Sequence, residues 1–258
     1  MDQYRGLKMA RRRFYAPPGA FASDGKSLTL EVDEARHLRD ALRLKSGDEV
    51  YVFDGLGKEF RCTIEESRKD AARLNVLSEV EPARQESSLQ LTLAVALLKG
   101  EKFDLVVQKA TELGVTWIVP VITKLADIRL RDESEAIKRV TRWQKIALEA
   151  AKQSGRALVP EVHAPTSFAS LLKSDTDASL MFSERGGQRL SSFKANLVES
   201  PSSITALVGS EGGWTDEEIS SARHQDWSIV TLAGRTLRAE TAAIAVTVLL
   251  QHTFGDLV

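Results

Sequence analysis

The chain is poor in cysteine, with Cys62 the one thiol in 258 residues. A single thiol excludes an intramolecular disulfide and any metal site built on thiolates, and it fits a reducing compartment. Long apolar runs are also lacking. No stretch of roughly 18 apolar residues occurs, and no apolar segment of about 7–15 residues follows the charged N-terminus, so neither a membrane span nor a leader is expected. The reading is a cytoplasmic protein. Charge of one sign is missing as well. With 35 basic and 36 acidic residues the net charge is −1, so a nucleic-acid partner must be argued from local clusters. His37, His163, His224 and His252 are far apart without metal-ligand spacing, so no metal is expected. A Gly-x-Ser-x-Gly elbow, a Gly-x-Gly-x-x-Gly fingerprint and a P-loop Lys-Ser/Thr pair are absent too, which leaves hydrolase and nucleotide-phosphate readings without a motif.

What is present divides in two. Residues 1–13 carry Arg5, Lys8, Arg11, Arg12 and Arg13 against Asp2, which is either a solubilising tail or an arm that contacts phosphates. Short strands follow at Phe14-Tyr15 and Ser27–Leu30, then a helix over Asp33–Leu42 capped by Asp33. Glu49–Phe53 and Lys58–Ile64 flank an Asp54–Gly57 turn, and Ala72–Leu77 adds a further strand. This β-rich unit, residues 1–80, has the turn spacing of a small barrel. Residues 81–88 are polar, contain Pro82 and mark a linker.

From residue 89 to 258 the pattern is α/β with a mostly parallel sheet. Leu89–Leu98 is a nearly continuous apolar run, as a strand buried on both faces requires. Apolar residues at helical spacing then predict a helix over Glu101–Leu113, stopped by Gly114. Val115–Thr123 is a strand in which Pro120 argues for an edge or an irregularity. A helix over Glu133–Ser154 is expected to bury Ile137, Val140, Trp143, Ala147 and Ala150. Strands at Ser179–Ser183, Ile204–Val208 and Ile229–Leu232 precede a closing helix, Glu240–Phe254, apolar over most of its surface.

Two loops stand out. Val208-Gly209-Ser210-Glu211-Gly212-Gly213-Trp214 follows a strand and precedes Thr215 and Glu218, which form a capping box. Alone it supports either a tight turn or a wall that a ligand approaches closely. Leu232-Ala233-Gly234-Arg235-Thr236-Leu237-Arg238-Ala239-Glu240-Thr241 crowds charges beside an apolar helix, where they need partners or a cavity. A structural ion pair of Glu240 with an arginine is one reading; stabilisation of negative charge in a pocket is the other.

At these loops the chain resembles the RsmE-type 16S rRNA (uracil-N3)-methyltransferase family of the SPOUT class. The resemblance runs along nearly the whole chain, through Arg12–Tyr15, His37–Val50, Lys99–Lys102, Gln108–Gly114, Glu149–Arg156 and the two closing loops. It implies a PUA-like RNA-binding domain followed by a SPOUT domain with a deep trefoil knot, acting as a homodimer on N3 of a uridine in the decoding region of small-subunit rRNA, free or assembled. It implies S-adenosylmethionine as cofactor, held by Val208, Gly209, Glu211, Gly212, Leu232, Gly234, Leu237 and Thr241. Arg238 or Arg156 would stabilise charge on the uracil oxygens, and Glu240 or Glu149 would accept the N3 proton or orient an arginine. Arg11, Arg12, Arg13, Arg39, Arg43, Lys99 and Lys102 are the candidate RNA contacts. The alternatives are a ribosome-assembly factor without turnover and a SPOUT methyltransferase acting on tRNA or a ribose hydroxyl. The chain departs from the family pattern at Ser210 (usually proline), Ala233 (glycine), Thr236 (isoleucine or valine) and Thr123–Ala126 (Glu-Arg-Ser).

Overall fold

The computed structural model describes residues 11–232 and 234–257. Arg5 and Lys8 of the basic arm, and Ala233, lie outside the described residues. The chain divides into two compact units: one of residues up to Glu86 together with Ala151–Val159, the other of Ser87–Ala150 and Pro160–Val258.

The first unit is a curled five-stranded sheet. Its strands are β1 (Arg13–Tyr15), β2 (Ser27–Leu30), β3 (Glu49–Phe53), β4 (Glu59–Ser67) and β5 (Ala72–Val80), in the order β1-β3-β4-β5-β2. β1 runs parallel to β3 and the other pairs are antiparallel. Alternation along the strands turns Val50, Val52, Cys62, Ile64 and Leu74 inward, where Phe14, Leu28 and Leu30 complete the core. The Asp54 carboxylate shapes the hairpin by accepting from Leu56 N (2.8 Å) and Lys58 N (3.0 Å), and Gly55 and Gly57 supply positive φ. The helix expected over residues 33–42 is corrected. α1 (Val32–Arg36) starts after Glu31, with Asp33 already in its first turn, and widens into a π turn at His37–Ala41. The extra residue in that turn lets both Leu38 and Leu44 reach the core.

The second unit is built on seven parallel strands: β6 (Gln90–Ala96), β7 (Trp117–Ile122), β8 (Glu161–Val162), β9 (Thr166–Ser167), β10 (Ala178–Phe182), β11 (Ser203–Val208) and β12 (Ser228–Val230). They lie in the order β12-β10-β11-β6-β7-β8, and β9 also pairs with β7. The helices are α2 (Lys102–Glu112), α3 (Glu133–Ser154), whose end from Ala151 belongs to the first unit, α4 (Phe168–Leu171), α5 (Leu190–Ala195), α6 (Asp216–His224) and α7 (Ala239–Phe254). The register aligns Ile229, Met181, Leu207, Ala94 and Val119 in one row across the sheet, and this row packs on Leu171, Leu172, Ile219 and Ala222 of the α4 and α6 region. α2 buries Phe103, Val106, Val107, Ala110 and Thr111, one stripe at helical spacing, and packs against α7. Pro120 sits where β7 has no neighbour on one side, between the residues paired with β8 and those paired with β9, so its missing N–H costs no ladder bond. Ile137, expected in the core, is 59% exposed; burial on α3 is complete only from Trp143 onward. No helix among the described residues is long and apolar enough to cross a membrane.

Candidate functional site

Open parallel sheets bind ligands beyond the carboxyl ends of their strands, and a cavity of the second unit lies there. It measures about 430 Å³ and is walled by the residues that follow β10, β11 and β12. The β11 loop contributes Gly209 to Trp214, and the β12 loop contributes Leu232 and Arg235 to Ala239. A third wall, Phe182-Ser183-Glu184, follows β10.

The glycine loop is held from below. Trp214 is buried and donates its indole N–H to the Phe182 carbonyl at 2.8 Å, and a Cβ at Gly209 would sit 3.0 Å from its ring. A Cβ at Gly212 would meet the Leu125 carbonyl oxygen at 2.6 Å, so the backbone closes onto the Thr123–Ala126 segment. Arg129 braces that segment by donating to the Ala126 carbonyl (2.6 Å) and the Lys124 carbonyl (3.0 Å). The capping box forms as expected: Thr215 Oγ1 accepts from Glu218 N, and the Glu218 carboxylate accepts from Thr215 N. The same buried carboxylate also accepts from Lys124 N at 3.0 Å.

The expected residues separate clearly. Val208, Gly209, Glu211, Gly212, Leu232, Leu237 and Arg238 line the cavity, whereas Gly234, Thr241 and Glu240 are not among the lining residues. Glu240 is largely buried; its Oε2 has no hydrogen-bond partner among the described residues and lies 3.9 Å from Lys102 Nζ. Lys102 Nζ donates to Glu211 Oε1 at 2.7 Å. Burial pushes the Glu211 carboxyl up, but the hydrogen bond and charge of Lys102, together with the backbone N–H groups of Glu211 and Lys99, hold it below the usual carboxylate range. Glu149 is exposed on α3 and Arg156 is a buried residue of the first unit, where its guanidinium binds Glu86 through Nε (2.9 Å) and Nη2 (2.7 Å). Neither lines this cavity.

Arg11 and Arg13 converge on one buried carboxylate, Glu59, at 2.7 and 3.1 Å, and stack over Tyr51 and Phe53. A fully buried acid is costly without such partners, and these arginines supply the charge that offsets it. Arg39 forks onto Asp40 at 2.7 and 2.8 Å, and Lys99 pairs with Asp127 at 2.6 Å. Hydrogen bonding from Lys99 holds the Asp127 carboxyl below its ordinary range. Arg12 and Arg43 are exposed. Cys62 is fully buried, and burial pushes its thiol up to about 12, so it stays protonated and unreactive. No group of three or more His, Cys, Asp or Glu placed to hold a metal occurs among the described residues.

Sequence reasoning missed the β10 wall. Its signal was available: Ser183-Glu184-Arg185-Gly186-Gly187 repeats the strand-then-glycine pattern of Ser210-Glu211-Gly212-Gly213.

Comparison with known proteins adds an independent line. Residues 85–251 match a family model described as RNA methyltransferase domain, and residues 30–77 one described as RNA methyltransferase PUA domain. Among curated relatives, ribosomal RNA small subunit methyltransferase E of Synechocystis is 33% identical over 91% of this chain and 75% of its own length. The Bacillus subtilis protein of the same name is 31% identical over 86% and 88%. Among solved structures, ribosomal RNA small subunit methyltransferase E from Neisseria gonorrhoeae, bound to S-adenosyl methionine, is 33% identical with a TM-score of 0.83, over 96% of this chain and 100% of that one. A Legionella pneumophila methyltransferase in complex with the same cofactor gives 31% and 0.84, over 96% and 99%. Matches of this identity and coverage across both units show that the chain belongs to the ribosomal RNA small subunit methyltransferase E family.

Proposed function

We propose that this protein transfers a methyl group from S-adenosylmethionine to N3 of a uridine in the decoding region of 16S rRNA. The observation that carries the reading is the cavity of about 430 Å³ closed by three loops, apolar on most of its wall and rimmed by Arg235 and Arg238. Its size is within the usual range for a small-molecule site, roughly 300–1,000 Å³. Phe182, Val208, Leu232 and Leu237 suit a purine face, and the backbone of Gly209 and Gly212 admits close approach. The residues therefore fit the cofactor, which when bound supplies the methyl group.

N3 of uracil passes its proton to solvent water, the oxygens at C2 and C4 hold the negative charge this leaves, and N3 then takes the methyl group as the sulfur–carbon bond of the cofactor breaks. Arg238, on the cavity wall, is the residue we assign to that charge. Glu240 is set off the cavity, with its carboxylate 3.9 Å from Lys102 Nζ, a position that suits orienting the loop of Arg238 better than contacting the uracil. The first unit grips RNA with its exposed basic residues, Arg12 and Arg43 among them. The half-exposed apolar flank of α7, with Val248 and Leu249, serves a homodimer in the cytoplasm.

The test is methyl transfer to small-subunit rRNA or subunits lacking the modification, followed by mass mapping. One methyl group on N3 of a decoding-region uridine is expected, and Arg238→Ala should lower the rate about 100-fold or more with the fold intact. A methyl group on ribose, or full activity in the variant, would contradict the assignment.

A further inference from the structure

We infer that Lys102 is a positioning residue that ties the two cofactor loops together, holding Glu211 of the β11 loop and Glu240 of the first turn of α7 on one ammonium. The inference rests on the proposed S-adenosylmethionine site and extends it to a residue outside the cavity wall.

Three observations converge on it. Lys102 Nζ reaches Glu211 Oε1 at 2.7 Å, a charge-assisted hydrogen bond to a residue that lines the cavity. The same nitrogen lies 3.9 Å from Glu240 Oε2, two residues beyond Arg238. That oxygen is buried and has no hydrogen-bond partner among the described residues, so the ammonium of Lys102 is the charge that offsets its burial. Lys102 opens α2, whose buried stripe fixes it to the second unit. Helix α2 thus presents one cation to the β11 loop and to the start of α7. With its ammonium occupied by two carboxylates, Lys102 stands as a brace for the pocket rather than as a phosphate contact.

Removing the tie should loosen both walls at once. Binding of S-adenosylmethionine, measured by calorimetry on the full-length protein, should weaken roughly tenfold or more in Lys102→Ala, as expected for loss of a hydrogen bond between charged groups. Lys102→Arg should restore most of the affinity. In steady-state assays the loss should sit in the KM for cofactor and not in the KM for RNA. Lys102→Ala also leaves Glu240 buried and uncompensated, so it is paired with the double variant Lys102→Ala/Glu240→Gln. The double variant should regain thermal stability yet still bind the cofactor weakly, because Glu211 still lacks the Lys102 ammonium. If wild-type protein binds the cofactor and Lys102→Ala binds it equally well while losing RNA affinity and salt dependence, Lys102 is an RNA contact and the inference is overturned. If wild-type protein binds no cofactor, the functional reading falls and the inference with it.

Discussion

Gly212 carries a constraint that its chemistry alone does not suggest. Its φ is not left-handed; what it cannot accept is a side chain, because a Cβ there would lie 2.6 Å from the Leu125 carbonyl oxygen and 2.9 Å from Leu125 Cβ. Backbone cannot step aside as a flexible side chain can, so Gly212→Ala must push the glycine loop toward the cavity or the Thr123–Ala126 segment away from it. Either shift deforms the wall while leaving the sheet beneath untouched. We expect about tenfold weaker S-adenosylmethionine binding by calorimetry, with the thermal midpoint within a few degrees of wild type. Unchanged affinity would mean that the loop has slack the contacts do not reveal. The family departures at Thr123–Ala126 gain a physical meaning here: that segment is the floor of the glycine loop, and its backbone does the supporting.

Among the elements, α6 has the most explicit start. Thr215 and Glu218 satisfy each other's backbone donors, and Glu218 also accepts from Lys124 N, so one buried carboxylate fixes both the helix and the loop floor. Thr215→Ala removes the N-cap acceptor and should lower unfolding stability by about 1 kcal/mol in urea titration, with little change in slope. Glu218→Ala should cost more, because it also strands the Lys124 amide. A smaller loss for Glu218→Ala than for Thr215→Ala would sink this account.

This element was legible in the sequence because a capping box is local. So were the parallel strands, which read as apolar runs, and the α2 stripe. The π turn at His37–Ala41 was not, since nothing local distinguishes it from one more helical turn. The exposure of Ile137 was equally hidden, because periodicity gives a face but not where its partner begins. Lys102 meets Glu211 across 109 residues of sequence and Arg11 meets Glu59 across 48, and pairs so distant leave no local pattern. The sequence therefore offers Lys102 and Arg11 as candidate RNA contacts without showing the carboxylates they meet.

Across the whole molecule the near-zero net charge conceals ionisations shifted in opposite senses. Glu135 is pushed down to about 2 by the Arg131 backbone N–H and by the side chains of Arg139 and Arg131. Asp177 is lowered by the Ser202 hydroxyl and by the Ser202 and Ser203 backbone N–H groups, and Asp127 and Glu217 are lowered by Lys99 and Lys124. A carboxyl held lower in the folded chain than in the unfolded one adds stability above its unfolded value. For Glu135 that contribution fades as pH falls from 4.5 toward about 2. Cys62 is shifted the other way, from 9.0 up to about 12 by burial, so its contribution is complete below pH 9.0 and is lost as pH rises toward 12. Stability should therefore hold a plateau from about pH 5 to 9 and fall on both sides. The two limbs differ in kind. The acid limb rests in part on exposed ion pairs that salt screens, those of Asp127 and Glu217 among them, so added sodium chloride should make it shallower without abolishing it. The alkaline limb includes a buried thiol that salt barely reaches, so it should persist in salt and become shallower in Cys62→Ala. Thermal midpoints measured from pH 2 to 11 at low and high salt, for both proteins, test this directly. An alkaline limb identical in Cys62→Ala would assign it to other groups.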